Sequence, residues 1–159
     1  MTTLDSTLVS NFEATPTVMT DASLLTGVTR IAQGTLELAA GDSTDNDIVM
    51  LAPIPTHASI TSLKIASDTF GGSCTFNVGL YTSAGVVKDE DCFATSVADA
   101  GAMTDVRFEA ANITTCGDKV YTIAGDSSDP GGHYYVAVTF NATGGTAGSM
   151  SFIIEYVVN

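Results

Sequence analysis

The strongest constraint on the fold is a two-residue alternation of apolar and polar side chains near the C-terminus. Residues 133–142 read HYYVAVTFNA, and residues 149–159 read SMSFIIEYVVN. Because successive side chains of a β-strand point to opposite faces of a sheet, this alternation predicts two strands that each bury one face. We expect the two strands to form an antiparallel pair, joined by the loose glycine-rich loop TGGTAG. In the second strand one face holds Met150, Phe152, Ile154, Tyr156 and Val158.

Four upstream segments also have the composition of strands, namely residues 34–41, 47–55, 58–67 and 74–82. The second segment is stopped by Pro53 and Pro55, which predicts a strand that ends at a sheet edge or loop. The third alternates with one local irregularity. After the fourth, Gly85 stands at a position suited to positive φ, which predicts a hairpin turn into VVK.

Three segments are more mixed. Residues 89–101 read DEDCFATSVADAG, with acidic residues at a possible helix start and apolar residues at helical spacing. This pattern predicts a short helix over about residues 90–99. Residues 105–110, DVRFEA, predict a brief extended piece, and for residues 116–125, CGDKVYTIAG, a helix is favoured over a strand.

Many short strands, glycine-rich turns and little helix predict a mainly β fold. We expect an antiparallel β-sandwich with a jelly-roll-like arrangement and one or two short helices. Residues 1–32 are rich in Thr and Ser, carry scattered apolar residues and show no lasting periodicity. We therefore expect an extended N-terminal arm over residues 1–32 and a β-sandwich domain over residues 33–159.

The charge of the chain limits its partners. Eighteen acidic residues stand against five basic ones, for a net charge of −13 over 159 residues. Phosphate-rich nucleic acids and anionic membranes bind clustered Lys and Arg, so we expect no nucleic-acid and no membrane partner. The N-terminus lacks the features of a signal peptide, and no apolar run is long enough to span a bilayer. Cys74, Cys92 and Cys116 are odd in number and widely spaced, so we expect reduced, semi-buried cysteines.

Two acidic loops are candidates for a structural cation. One contains Asp126 and Asp129 in AGDSSDPGGH, and the other contains Asp42, Asp45 and Asp47 in DSTDND. Calcium takes six to eight oxygens, and neither loop has the spacing of an EF-hand. Asp and Ser also begin turns by binding nearby backbone N–H groups, so turns are the favoured interpretation and a structural cation stays open as the alternative. We expect no cofactor.

Catalytic patterns are weak throughout. His57 and His133 are far apart in the sequence and lack an accompanying HExxH, GxSxG or Cys/His signature. A pair of carboxylates could hydrolyse glycosides, with Glu37, Glu109 and Glu155 as candidates, but the chain has no Trp for a sugar-binding cleft. Its tyrosines are more typical of packing, namely Tyr81, Tyr121, Tyr134, Tyr135 and Tyr156. No segment matches a phosphate-binding glycine loop. We therefore expect a protein that is not an enzyme, with no catalytic residues.

Three stretches together resemble a known family. They are NVGLYTSAGVV at residues 77–87, DVRFEAANI at 105–113 and IAGDSSDPGGHYYVAVTF at 123–140. In this order they are similar to recurrent segments of a family of small virion proteins of tailed bacteriophages, including marine podoviruses. The resemblance covers roughly residues 28–158. One departure is KVYTIAG, at residues 119–125, where the family often has a Trp and more helical character.

The resemblance implies a non-enzymatic component of a phage particle, located on the outer capsid surface and assembled in the host cytoplasm. Its expected partners are the major capsid protein, other virion proteins and further copies of itself, with a trimer favoured. The favoured hypothesis is a capsid decoration or cement protein. Two alternatives stay open: a tail or head–tail adaptor, and a carbohydrate-binding β-sandwich that contacts the host surface.

Overall fold

Eight strands form two antiparallel four-stranded sheets in the computed structural model of the protein, which describes residues 6–19, 27–99, 101–109 and 113–158. The strands are β1 (Val28–Leu38), β2 (Ile48–Pro55), β3 (Ser59–Ser67), β4 (Thr75–Tyr81), β5 (Val87–Ala98), β6 (Thr104–Asp105), β7 (His133–Phe140) and β8 (Gly148–Val158). The helical elements are α1 (Thr7–Glu13), a 3-10 turn (Ile113–Thr115) and α2 (Val120–Ile123). None of the described helices is long and apolar enough to cross a membrane.

The order of the strands is that of a jelly roll. Sheet A has the order β1-β8-β3-β6, and sheet B has the order β2-β7-β4-β5. The first strand therefore pairs with the last, the second with the seventh, the third with the sixth, and the fourth with the fifth. This is the pairing of one long hairpin rolled into two facing sheets, with further pairing of β3 to β8 and β4 to β7. The predicted mainly β sandwich is confirmed.

The core lies between the two sheets. Sheet A contributes Leu63 and Ile154, and sheet B contributes Val78 and Val136, all fully buried. At one end Phe140 packs edge-to-face against Phe70, with ring centroids 5.5 Å apart, in the geometry that aromatic rings prefer. The central strands β4 and β7 of sheet B are buried on both faces over most of their length.

The predicted pairing of the last two strands is wrong. β7 lies in sheet B and β8 in sheet A, so the loop between them crosses from one sheet to the other. The loop is also anchored rather than loose, because Gly144 N–H donates to Ser43 O (2.8 Å) and Thr146 N–H donates to Phe70 O (2.9 Å). A Cβ on Gly144 would stand 2.7 Å from Phe70 Cβ. Glycine at position 144 therefore lets the loop pass directly over the aromatic end of the core.

The helix predicted over residues 90–99 is also wrong, because this segment belongs to β5. Its register with β4 is irregular: Val78 faces Ala94 while Leu80 faces Asp89, so five steps along β5 match two along β4. The three extra residues of β5 form a bulge that is larger than the usual bulge of one extra residue. A bulge interrupts the strict alternation of apolar and polar residues. The apolar residues of this segment therefore have a spacing similar to that of a helix.

Other local predictions agree with the structure. Pro53 and Pro55 lie in β2, an edge strand of sheet B, and the irregularity in β3 falls between Ile60 and Ser62. Gly85 has φ +74° and its N–H donates to Thr82 O (3.0 Å), as the hairpin turn requires. α2 confirms the helix favoured within residues 116–125.

Two segments differ from their expected form. The extended piece at 105–110 is limited to Thr104–Asp105, and a turn follows at residues 107–109. Within the predicted arm, residues 7–13 are helical, and β1 begins at Val28, before the expected boundary at residue 32. Residues 1–5 and 20–26 of the arm lie outside the described residues.

Gly79 is required where the β5 bulge crosses β4. A Cβ at this position would stand 2.1 Å from Asp89 O and 2.3 Å from Glu90 C, both backbone atoms that cannot move independently. We expect Gly79→Ala to lower the free energy of unfolding by about 3 kcal/mol, as overpacking a filled site does. Chemical denaturation measures the change. Gly41→Ala is the control, since nothing lies within 4 Å of its added Cβ. Equal stability of the two variants would contradict the close approach of the β5 backbone to Gly79.

Candidate functional site

The loop that contains Asp126 and Asp129 is held by bonds within the protein. Thr56 Oγ1 donates to Asp129 Oδ1 (2.6 Å), and Gly131 N–H donates to the same oxygen (2.8 Å). These hydrogen bonds lower the pKa of Asp129. Gly131 and Gly132 have φ +75° and +82°, conformations that favour glycine. Asp129 thus closes the turn that leads into β7, as the favoured interpretation predicted.

Asp126 links the same loop to sheet B. Its carboxylate forms an ion pair with Lys88 Nζ (2.7 Å) and accepts a hydrogen bond from Tyr134 OH (2.5 Å). The bond from Lys88, followed by that from Tyr134, lowers the pKa of Asp126. Lys88 Nζ also lies 5.2 Å from the centre of the Tyr134 ring. The three side chains join β5, the loop and β7.

The second acidic loop is organised in the same way. Asp42 Oδ2 accepts from Ala39 N–H (2.8 Å), and Asp47 Oδ2 accepts from Thr44 N–H (2.8 Å) and from the Thr44 hydroxyl. The bonds from Thr44 lower the pKa of Asp47. Asp45 is exposed, and its N–H approaches Thr143 Oγ1 at 3.4 Å. Among the described residues, no group of three or more His, Cys, Asp or Glu side chains is placed to hold a metal ion.

The two histidines come to one end of sheet B. His133 pairs with Pro55 across the β2–β7 ladder, and His57 follows two residues after Pro55. Both histidines are exposed. The fold therefore brings together two histidines that the sequence leaves far apart, on the rim of the sandwich rather than in a cleft.

Two of the candidate glycosidase carboxylates, Glu37 and Glu155, are far apart. Glu37 faces Ser149 and Glu155 faces Ile31, so the two glutamates lie six residues apart along the β1–β8 ladder. At about 3.3 Å per residue this is roughly 20 Å, well beyond the separation of about 5–10 Å that glycosidases use. Glu155 pairs with Lys64 (3.6 Å), and Glu109 Oε2 accepts from Thr95 N–H (2.9 Å). Their contacts are those of strand and turn residues.

Tyrosines and cysteines also serve packing for the most part. Tyr81 and Tyr134 are buried, and Tyr121, Tyr135 and Tyr156 are half-buried, so the described tyrosines form no exposed platform.

The three cysteines are free. Cys74 is buried and Cys92 is half-buried, as expected, whereas the expectation of a semi-buried side chain is wrong for Cys116, which is exposed.

Arg107 is a buried cation that the sequence did not reveal. It is 1% exposed, and its guanidinium donates to Ile60 O (3.0 Å), Thr115 Oγ1 (3.3 Å) and Thr115 O (3.2 Å). Its Cζ lies 5.0 Å from the Phe93 ring centre and 4.4 Å from that of Phe108, within cation–π range. Burial lowers the pKa of Arg107. The side chain fastens the 3-10 turn to β3 of sheet A, and its only sequence signal is the adjacent Phe108.

An acidic pocket of about 340 Å³ lies beside Arg107, on the outer side of the β5 bulge. Asp89, Asp91 and Asp118 contribute its carboxylates, and Cys92 and Thr115 also line it. Burial raises the pKa of Asp89 and of Cys92. Asp91 N–H approaches Asp89 Oδ1 at 3.4 Å, so the Asp89 carboxylate lies against the backbone of the bulge.

Exposed apolar side chains are concentrated in the N-terminal part of the chain. In the segment of residues 6–19, Met19 is 93% exposed and Val18 is 51% exposed, and Leu8 and Val9 are exposed as well. On β1, Val28 is 64% and Ile31 is 60% exposed. These side chains form the main apolar surface that the described residues present to a partner. They belong to a jelly-roll β-sandwich whose polar loop residues are largely bound within the fold.

Comparison with known proteins gives few matches. No protein-family model and no curated protein matches the chain. Among solved structures, it is similar to a chain of the capsid asymmetric unit of cyanophage Pam1, with 13% identity and a TM-score of 0.47 over 84% of this chain and 86% of that chain. It is also similar to a chain of the acidic stable capsid structure of Helicobacter pylori bacteriophage KHP30, with 9% identity and a TM-score of 0.45 over 82% and 88% of the two chains. No residue role is carried from either structure to this chain.

We expect the Asp126 contacts to make stability depend on acid pH. Because the pKa of folded Asp126 lies below its ordinary value of 3.8, the unfolded chain takes up the proton first as pH falls. The stabilisation is thus fully present above the unfolded pKa and is lost as pH falls through the folded pKa. Asp126→Asn should be less stable than the parent at pH 7, and the difference should shrink between about pH 5 and pH 2.

Urea denaturation across that pH range measures this prediction. Asp45→Asn is the matched control, because it removes one exposed carboxylate from the other acidic loop. A constant difference between parent and Asp126→Asn down to pH 2 would show that the carboxylate charge of Asp126 is not involved.

Proposed function

We propose that the protein is a non-enzymatic structural protein of a bacteriophage virion, which decorates or cements the outer capsid surface through contacts between subunits. The observation that carries the proposal is the exposed apolar segment of residues 6–19. Leu8, Val9, Val18 and Met19 stand in solvent there, next to a sandwich that has its own complete core. Such a segment is stabilised when a neighbouring subunit removes it from water.

Charge supports an assembly role for this segment. Residues 6–19 carry one charged residue, Glu13, whereas the whole chain has a net charge of −13. Interface centres are depleted of charge in this way, while the surface around them stays polar. An acidic body with a nearly neutral, apolar arm suits a subunit that lies on a shell and reaches across its neighbours.

The positions of the polar residues support a structural rather than a catalytic role. Asp126 and Asp129 close a turn, and Glu37 and Glu155 are too far apart to act on one bond. Jelly rolls occur in viral capsid domains. The segments at 77–87, 105–113 and 123–140, taken in this order, resemble segments of virion proteins. The two similar solved structures are of phage capsids, which agrees with the proposal, but the proposal does not rest on them.

The experiment that tests the proposal is quantitative mass spectrometry of purified particles, with localisation of the protein by cryo-electron microscopy. Hundreds of copies on the shell are the expected result. A handful of copies at the tail would replace decoration by an adaptor role, and absence from the particle would refute a virion role. A glycan array is the complementary control for binding to host carbohydrate.

We expect deletion of residues 2–25 to weaken binding to the particle, or oligomerisation, more than it destabilises the sandwich. The apolar side chains that a neighbour would cover are lost, while β1 still begins at Val28. Binding to particles that lack the protein, together with thermal melting, measures both effects. Retained capsid binding by a folded truncation would contradict the prediction.

A matched pair of point variants refines this test. Val18→Ser with Met19→Ser removes exposed apolar surface from the segment, and Val86→Ser with Val87→Ser removes it from the β4–β5 hairpin, where the two valines are 60% and 51% exposed. Only the first pair should reduce particle binding. Equal loss from both pairs would point to general hydrophobic adhesion rather than to the N-terminal segment.

A further inference from the structure

Three of the four edge strands carry features that prevent pairing with another chain. At one end of sheet A, β6 has only two residues. At the edges of sheet B, β2 contains Pro53 and Pro55 and a register shift after Met50, and β5 has three register irregularities and charged residues at 88–91. Short length, proline, bulges and charge are the ways in which proteins block an open sheet edge.

The fourth edge strand, β1, is neither short nor interrupted by proline or a bulge, and its two charged residues, Arg30 and Glu37, lie near opposite ends of the strand. It runs for 11 residues, contains no proline, and keeps one unbroken register with β8 from Val28 opposite Val158 to Leu38 opposite Gly148. Within the described part of the chain, no residue pairs with its other side. Ile31 is 60% exposed on its outer face, where the alternation also places Gln33 and Thr35. A long edge strand with a regular register and few charges is a template for strand addition.

The distribution of charge indicates what kind of partner fits this edge. The four strands of sheet A hold two of the five basic residues and three of the eighteen acidic ones, so they carry a net charge of −1 out of −13. A basic partner would be drawn to the acidic loops and β5 instead. Another copy of this chain is itself strongly acidic, and it approaches most easily where the charge is balanced, as in sheet A.

We propose that β1 pairs antiparallel with β1 of a second copy of this chain, so that the two A sheets become one continuous eight-stranded sheet. The main-chain N–H and C=O groups on the open side of β1 would then find partners, as they do on the side that faces β8. The interface is isologous and gives a dimer. This inference deepens the proposed structural role by naming the surface and the partner, and it replaces the expected trimer by a two-fold assembly.

The outer face of β1 tolerates this pairing. Its one charged residue, Glu37, is next to last in the strand. When the two-fold axis passes near Gln33, each Glu37 faces Thr29 of the other copy, and the two carboxylates stand about 26 Å apart along the ladder. Ile31 then faces Thr35 of the other copy, which is a favourable pair of β-forming side chains.

Ile31→Lys tests the pairing. The new ammonium would lie opposite Glu155 of β8 in the same subunit, so the fold should be retained. In the dimer it would add charge at the centre of the interface on both copies. The matched control is Val86→Lys, since Val86 is 60% exposed like Ile31 and lies on the hairpin of sheet B. Sedimentation equilibrium over a concentration series should show a dimer for the parent and for Val86→Lys, with a dissociation constant at least about tenfold higher for Ile31→Lys.

Hydrogen exchange gives an independent readout for the full-length protein. Protection of alternate amides within residues 28–38 should rise with concentration in the parent and stay constant in Ile31→Lys. A parent that remains monomeric at all concentrations would overturn the inference, and so would a trimer that Ile31→Lys leaves intact. Particle binding distinguishes the two proposals: a monomer that decorates the shell refutes only the β1 pairing, whereas a β1-paired dimer that is absent from the particle refutes only the virion role.

Discussion

The pairing of the first strand with the last is the constraint on which the rest of the structure depends. β8 is paired with β1 along 11 residues and with β3 on its other side, and every β1–β8 pair joins positions at least 110 residues apart. Sheet A therefore has no stable form until the end of the chain is in place, whereas the β4–β5 hairpin of sheet B is local. Such long-range pairing carries a large loop-closure cost, which is typical of slowly folding β-sandwiches. Among the strands of the described residues, it also leaves β1 with one open side.

The sequence could reveal which segments are strands but not how they pair. Alternation identified β3, β4, β7 and β8 because each places a regular row of apolar side chains in the core between the sheets. It could not show that β7 and β8 lie in different sheets, since a glycine-rich loop can close a hairpin or cross a sandwich equally well. The β5 bulge was mistaken for a helix because it lacks strict alternation, and only the backbone crossing over Gly79 explains why β5 bends there.

The polar residues illustrate a different limit of sequence reasoning. A carboxylate that closes a turn and one that binds a cation use the same oxygens, so the pattern around Asp126 and Asp129 fits both roles. Tertiary structure decides between them by delivering donors from distant segments: Lys88 comes from β5 and Thr56 follows β2. Arg107 is the extreme case, because its partners Ile60, Thr115 and Phe93 all lie outside its own segment. The neighbouring Phe108 is the one local sign, and by itself it does not indicate that this cation is buried.

Charge and hydrophobicity are divided between different parts of the molecule. Most of the acidic residues lie in loops and on β5, while the N-terminal segment and sheet A are nearly neutral and hold strongly exposed apolar side chains, Met19, Val28 and Ile31. Repulsion between copies therefore acts over most of the surface, and attraction is confined to one region of the chain. Backbone pairing and apolar burial lose little in high salt, whereas charge repulsion is screened. This division favours association in a defined orientation over general aggregation, as the proposed structural role requires.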